Sequence, residues 1–165
     1  MPNEKPETLA ATTIMELPQK IRSFIEERTE ITTMALPWNY PSIDKFDDFQ
    51  AGYRFDAATL ENLTGQEGGF HENWFVVCSN YFDDPFFVDI SEIEIDYPVY
   101  YAQHGAGSWT PIKISESITE FSNRLKGIKE LEDDRDLLLD KLKNEFDLEN
   151  ELWKEVYESI LEDEE

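Results

Sequence analysis

The hydrophobic positions change period twice along the chain, and those changes predict its elements. Between residues 18 and 28, Ile21, Phe24 and Ile25 fall at i, i+3 and i+4, while Lys20, Arg22, Glu26 and Glu27 face the other way. That pattern is the apolar stripe of a short helix. Pro18 suits its first turn, and the β-branched cluster Ile31-Thr32-Thr33 ends it.

From Leu36 to Tyr53 no period is sustained. Pro37 and Pro41 interrupt Trp38-Asn39-Tyr40, which reads either as a wrapping loop whose aromatics plug the core or as an exposed recognition loop. Ile43, Phe46 and Phe49, spaced by three, predict a short helical turn capped by Ser42. Tyr53-Arg54-Phe55 predicts a brief strand. Asp56 then caps a short helix carrying Leu60 and Leu63, which Gly65 closes in a left-handed conformation before a turn over Gln66–Gly69.

The period shortens after Gly69. Trp74–Cys78 is a continuous β-forming run, the mark of a central strand covered on both faces. Turn residues follow at Ser79-Asn80 and Asp83-Asp84-Pro85. The second strand is Phe86–Ile90. The third is Val99–Ala102, entered through Pro98. A turn at Gly105-Ala106-Gly107 leads to a fourth strand over Trp109–Ile114. Strands this closely spaced imply an antiparallel meander.

Helical spacing then returns. Ser117 and Glu120 form a capping box ahead of Ile118, Phe121, Leu125 and Ile128. Gly127 is either a tolerated flaw or a C-cap. Leu131, Leu138, Leu142 and Phe146 continue the pattern. Leu148, Leu152, Val156 and Ile160 restart it after Asp147, a good cap, so two or three consecutive helices break near that residue. The expected fold is α+β: a mainly antiparallel sheet flanked by helices, with a C-terminal helical extension. Residues 1–13 read as a loose leader, 14–126 as the α+β domain, and 127–165 as an acidic helical extension packed on or beside it.

Composition narrows the function. At 165 residues, with 40% hydrophobic and 13% aromatic side chains, the chain suits one globular domain and not a disordered one. A net charge of −23 repels nucleic acid and anionic membranes, and it draws basic proteins at long range. Solubility alone is the other reading of that charge. Cys78, the only cysteine, lies in an apolar run and reads as a buried, inert thiol. No disulfide can form within one chain, which favours a reducing compartment. Residues 1–17 lack a basic start followed by an apolar core, and no stretch approaches 18 apolar residues. A cytoplasmic protein with no membrane contact is expected.

Catalytic patterns are absent. No glycine-rich run leads into Lys-Ser/Thr, and Gly105-Ala106-Gly107-Ser108 lacks a third glycine and opens onto a strand. His71 and His104, the only histidines, have neither the His-x-x-x-His spacing nor a cysteine pair for zinc. There is no nucleophile elbow. No catalytic, metal or cofactor-binding residue is assigned. The densest acidic stretch before the tail is Asp83, Asp84, Asp89, Glu92, Glu94 and Asp96, in an order unlike an EF-hand loop. It reads as solvated turn and strand-edge charge, as a weak cation site, or as a face that pairs with Arg and Lys of a basic protein. Tyr97, Tyr100, Tyr101 and Trp109 divide between core packing and interface anchors, and Tyr100 joins the acidic residues as a candidate contact.

Trp74-Phe75-Val76-Val77, the run from Asp84 to Asp89, Pro98-Val99-Tyr100, the stretch from His104 to Trp109 and a helix ending near Phe121 together resemble the SUKH superfamily. That family holds yeast cell-wall-assembly and killer-toxin-resistance regulators. It also holds bacterial proteins taken to be immunity proteins against secreted toxins, often nucleases. The likeness covers residues 69–121. It implies a curved sheet flanked by helices, with no established catalytic residues, and it marks Trp74, Phe87, Asp89, Gly105, Gly107 and Trp109 as fold-defining. The chain departs from the family in two places. Leu36-Pro37 only partly echoes the usual opening, and the helices after Lys126 go beyond the minimal domain.

The expectation is a non-enzymatic immunity protein that occludes a basic, nuclease-like toxin. The alternative is a regulatory scaffold of the same fold that binds through its acidic helical tail. An enzyme would need a pocket joining His71 or His104 to a carboxylate.

Overall fold

The computed structural model describes residues 16–103 and 108–162. The expected leader over 1–13, His104 with the Gly105-Ala106-Gly107 turn, and the last three residues lie outside the described residues.

Four strands, β1 (Trp74–Ser79), β2 (Pro85–Asp89), β3 (Val99–Tyr101) and β4 (Ile112–Ser115), form one antiparallel sheet in chain order. Trp74 pairs with Asp89, Phe87 with Tyr100, and Tyr100 with Lys113. A bulge between Val76 and Cys78 resets the alternation of β1, so Val77 and Cys78 both enter the main core. Burial raises the Cys78 thiol well above its ordinary pKa and keeps it protonated.

Among the described residues, five helices complete the α+β fold: α1 (Gln19–Glu27), α2 (Phe46–Phe49), α3 (Ile118–Glu130), α4 (Arg135–Glu145) and α5 (Glu151–Glu162). Ile21, Phe24 and Ile25 are the buried stripe of α1, and Arg28 ends that helix at φ 45°. The spacing-by-three of Ile43, Phe46 and Phe49 becomes a 3-10 turn running into α2. Ser42 does not cap it, because its hydroxyl donates to the Asp44 carboxylate instead. In α3 the predicted positions Ile118, Phe121, Leu125 and Ile128 are all buried. The Ser117 hydroxyl accepts from the Glu120 N–H at 3.0 Å. The Glu120 carboxylate returns one residue further than a simple box, to the Glu116 N–H at 2.8 Å and the Ser115 hydroxyl at 2.6 Å.

Four further expectations change. First, β1 is an edge strand, not a central one. A continuous apolar run reports burial of both faces and says nothing of lateral neighbours. Here one face packs into the main core and the other into a smaller cluster around Phe70. Second, Trp109 precedes β4: its N–H donates to the Gly68 carbonyl at 2.8 Å, and its ring meets Phe70 edge-on. Third, residues 51–65 form neither strand nor helix. The Asp56 carboxylate accepts from the Ala58 and Thr59 N–H groups, as a cap should, but Leu60 then turns left-handed at φ 65° and the chain reverses. Leu60 is therefore exposed, while Gly65 is left-handed as expected. Fourth, the cap of α5 is Asn150, whose side-chain oxygen accepts from Leu152 and Trp153. Asp147 closes only the preceding turn.

The core continues past residue 126, a position inside α3. Leu138, Leu142, Phe146, Leu152, Trp153 and Val156 belong to the same buried cluster as Ile21, Phe24 and Val77. Gly127 sits where α4 crosses closely, since a Cβ there would lie 2.9 Å from the Lys141 Cε. Among the described residues no helix is long and apolar enough to cross a membrane.

Both sheet edges are closed. At β1, the Gln50 amide accepts from the Val76 N–H and donates to the Val76 carbonyl, each at 2.9 Å. Arg54 donates to the Trp74 carbonyl at 2.7 Å, and its guanidinium lies 3.8 Å from the centre of the Phe75 ring. Asn39 bridges Ser79 through the backbone. At β4, the Ile114 carbonyl accepts from the Trp153 indole N–H at 3.0 Å, and the Lys113 carbonyl accepts from Asn150.

Glu155 on α5 feels burial first and the Asp84 charge second, and both raise its carboxyl pKa. A carboxyl raised on folding is favoured in its protonated form. Its contribution is therefore intact below the unfolded pKa and is lost as pH rises through the folded one. Glu155→Gln should stabilise the protein near pH 7, by about 0.5 kcal/mol given the partial exposure, and leave it unchanged below about pH 4. Denaturant melts at both pH values check this, and a destabilised variant at neutral pH would contradict it.

Candidate protein-binding surface

The acidic residues singled out in the sequence do not form one face. Asp84 is only 6% exposed. Its carboxylate accepts from the Tyr101 hydroxyl at 3.0 Å and from Asn80, so it is a buried structural group and not a contact residue. Asp96 turns toward α1 and α3, where Lys20 lies 2.8 Å away. Burial works against its ionisation, but hydrogen bonds from Lys20 and Thr119 outweigh that and hold its carboxyl below the usual range. Asp83 lines a groove with Tyr53 and Trp109. Glu94 is exposed.

Asp89, Glu92 and Tyr100 do come together. The Tyr100 hydroxyl donates to Glu92 at 3.0 Å, and the Asp89 carboxylate accepts from the Ser91 N–H and hydroxyl. Burial and the Glu92 carboxylate push the Tyr100 phenol up to about 12, so it remains a donor at neutral pH. Tyr100 ends an aromatic row that crosses β1, β2 and β3: the Trp74 and Phe87 rings are 5.1 Å apart, and those of Phe87 and Tyr100 6.0 Å. Trp74, Phe87 and Trp109, three of the positions marked by the resemblance, meet around Phe70 in this smaller cluster. Gly105 and Gly107 lie outside the described residues.

A second surface was visible in the sequence only at Trp38. Met34, Trp38, Tyr81 and Phe82 expose 54, 47, 60 and 46% of their surface, and the four adjoin. The Tyr81 N–H donates to the Met34 carbonyl, the Trp38 and Tyr81 rings are 6.0 Å apart, and Tyr81 meets Phe82 edge-on at 5.8 Å. Large apolar side chains gathered on a surface mark an interaction site, whereas scattered ones do not.

The local chemistry explains why they point outward. Asn80 is buried, and its side-chain oxygen accepts from the Phe82 and Asp84 N–H groups, while its amide donates to the Ala35 carbonyl. The turn is thus filled from inside by Asn80, and residues 81 and 82 have no interior to enter. Trp38 and Tyr40 divide the two readings of their loop. Tyr40 is buried and donates to the Thr29 carbonyl, while Trp38 stays out. Met34, Tyr81 and Phe82 were missed. The available signal was a pair of aromatics inside the turn between Asn80 and Asp83, where no core is within reach.

Beside this patch runs a groove of about 600 Å3 lined by Asp48, Phe49, Tyr53, Asp83 and Trp109, among others. The Tyr53 hydroxyl donates to the Asp83 carbonyl at 2.7 Å. His71 is exposed, and its Nδ1 accepts from the Asn73 N–H. His104 lies outside the described residues. Among the described residues no group of three or more His, Cys, Asp or Glu is arranged to hold a metal ion. Comparisons with protein-family models, with curated proteins and with solved structures find no match to this chain.

Proposed function

We propose that this chain is a non-enzymatic protein-binding domain that neutralises a basic, nuclease-like toxin by occlusion, as an immunity protein acting in the cytoplasm. The observation that carries the reading is the exposed patch of Met34, Trp38, Tyr81 and Phe82 on a chain of net charge −23. Aromatic anchors supply most of the energy of an interface, and the acidic surface steers a basic partner onto it. The resemblance of residues 69–121 to SUKH proteins points the same way. The scaffold alternative, with the helical tail as binding element, has less support. Leu152, Trp153 and Val156 of α5 are spent in the core, so deleting the tail tests folding before it tests binding.

The test compares wild type with Trp38→Ala/Tyr81→Ala in a low-salt capture from host lysate, followed by nuclease assays of the captured protein. The expected result is a basic nuclease released by salt and inhibited by wild type. The double variant should inhibit at least about 100-fold more weakly, the scale of two interface anchors. Capture of neutral proteins by both forms alike would sink the proposal.

A further inference from the structure

We infer that the groove beside the aromatic patch receives an arginine side chain of the bound partner. The inference rests on the protein-binding reading above and makes it specific. The groove and the patch share two chain segments: Trp38 continues into Asn39, and Phe82 into Asp83, and both Asn39 and Asp83 line the groove. Its other lining residues are three rings, Phe49, Tyr53 and Trp109, together with Asp48, Ala51, Gly52 and Ser79. At Gly52 φ is +90° and a Cβ would meet nothing within 4 Å, so the glycine serves the turn and the space above it stays open.

Among the described residues no Lys or Arg lines the groove, and neither Asp48 nor Asp83 takes part in an ion pair. Elsewhere the surface does pair its carboxylates, as at Lys20–Asp96 and Lys126–Glu27. The groove is therefore acidic and aromatic at once, with its charge uncompensated. Arginine fits that combination better than lysine. Its flat guanidinium stacks on ring faces while its edge donates to carboxylates, whereas an ammonium is a strongly hydrated point charge. The protein already makes this kind of contact internally, at Arg54 over Phe75 and Arg124 over Phe146. A volume of about 600 Å3 holds the side chain together with the backbone on either side of it.

The test is a titration of the 15N-labelled full chain at low salt with acetyl-Gly-Arg-Gly-amide, followed by amide and indole NMR signals. The same peptide with lysine or with citrulline, the uncharged isostere of arginine, serves as comparison. The expected result is saturable shifts confined to Gly52, Tyr53 and Trp109. Binding should be severalfold weaker for lysine, absent for citrulline, and about tenfold weaker in Asp48→Asn/Asp83→Asn. Asparagine keeps both shapes and tolerates the left-handed conformation of Asp83, so the double variant stays folded. Shifts spread over the acidic surface in proportion to charge, equal responses to arginine and lysine, or an undiminished response in the double variant would each overturn the inference. The outcome is independent of whether a nuclease is captured, because the peptide probes the groove alone and the Trp38 and Tyr81 variant probes the patch.

Discussion

Trp153→Ala should lower the melting temperature of the whole protein in a single transition, by roughly 10 °C or more. The side chain is fully buried, packs edge-on against Phe146 at 4.6 Å and approaches Phe121, and its indole N–H holds the Ile114 carbonyl on β4. Removing a buried tryptophan costs about 3–5 kcal/mol in lost burial and cavity, and here an unpaired carbonyl is added. Against a total stability of about 5–15 kcal/mol that is a large fraction, and for a chain of this size each kcal/mol moves the midpoint by about 2–4 °C. The informative part is the shape of the transition. The ring joins α5 to the sheet edge, so helical and aromatic circular dichroism should lose their signals together. An early helical transition that leaves the sheet signal intact would show instead that the C-terminal helices are a separate module.

Gln50→Met should have the second largest effect, and it should change association as well as stability. The substitution keeps the volume but removes three buried hydrogen bonds, two to Val76 and one to the Phe46 carbonyl. Leaving the Val76 groups unpaired costs about 2–3 kcal/mol. It also leaves a donor and an acceptor unpaired along β1, the groups through which an edge strand pairs with another chain once the segment covering it loosens. Sedimentation should therefore detect concentration-dependent association in the variant and none in the wild type. A variant that is less stable yet strictly monomeric would mean that Arg54 and Asn39 are enough to block the edge.

The sheet and the long helices were legible because burial writes a period into the sequence. Phe86, Val88, Val99 and Tyr101 alternate, Ile118, Phe121, Leu125 and Ile128 step by three and four, and the structure buries each of them. The segment over residues 51–64 was not legible, because one residue decides most of it. Asp56 made a correct cap, but Leu60 took a left-handed conformation that leucine gives no reason to expect. The acidic residues misled for a different reason. Charge density along a sequence carries no information about direction, and the turns at Asp83 and Asp96, both left-handed, send neighbouring carboxylates to opposite sides of the sheet. The exposed patch was only partly legible, since an aromatic residue signals an anchor or a core plug with equal force until the interior is seen to be full.

Asn80 separates scaffold from tip. Its bonds to Ala35, Phe82 and Asp84 engage only backbone groups and one carboxylate, none of which depends on the side chains at 81 and 82. Those two positions can change identity while the hairpin beneath them keeps its shape. A lineage under pressure to track a changing target could rewrite the tip without retesting the fold, and a designer could do the same by randomising residues 34, 38, 81 and 82 as a library.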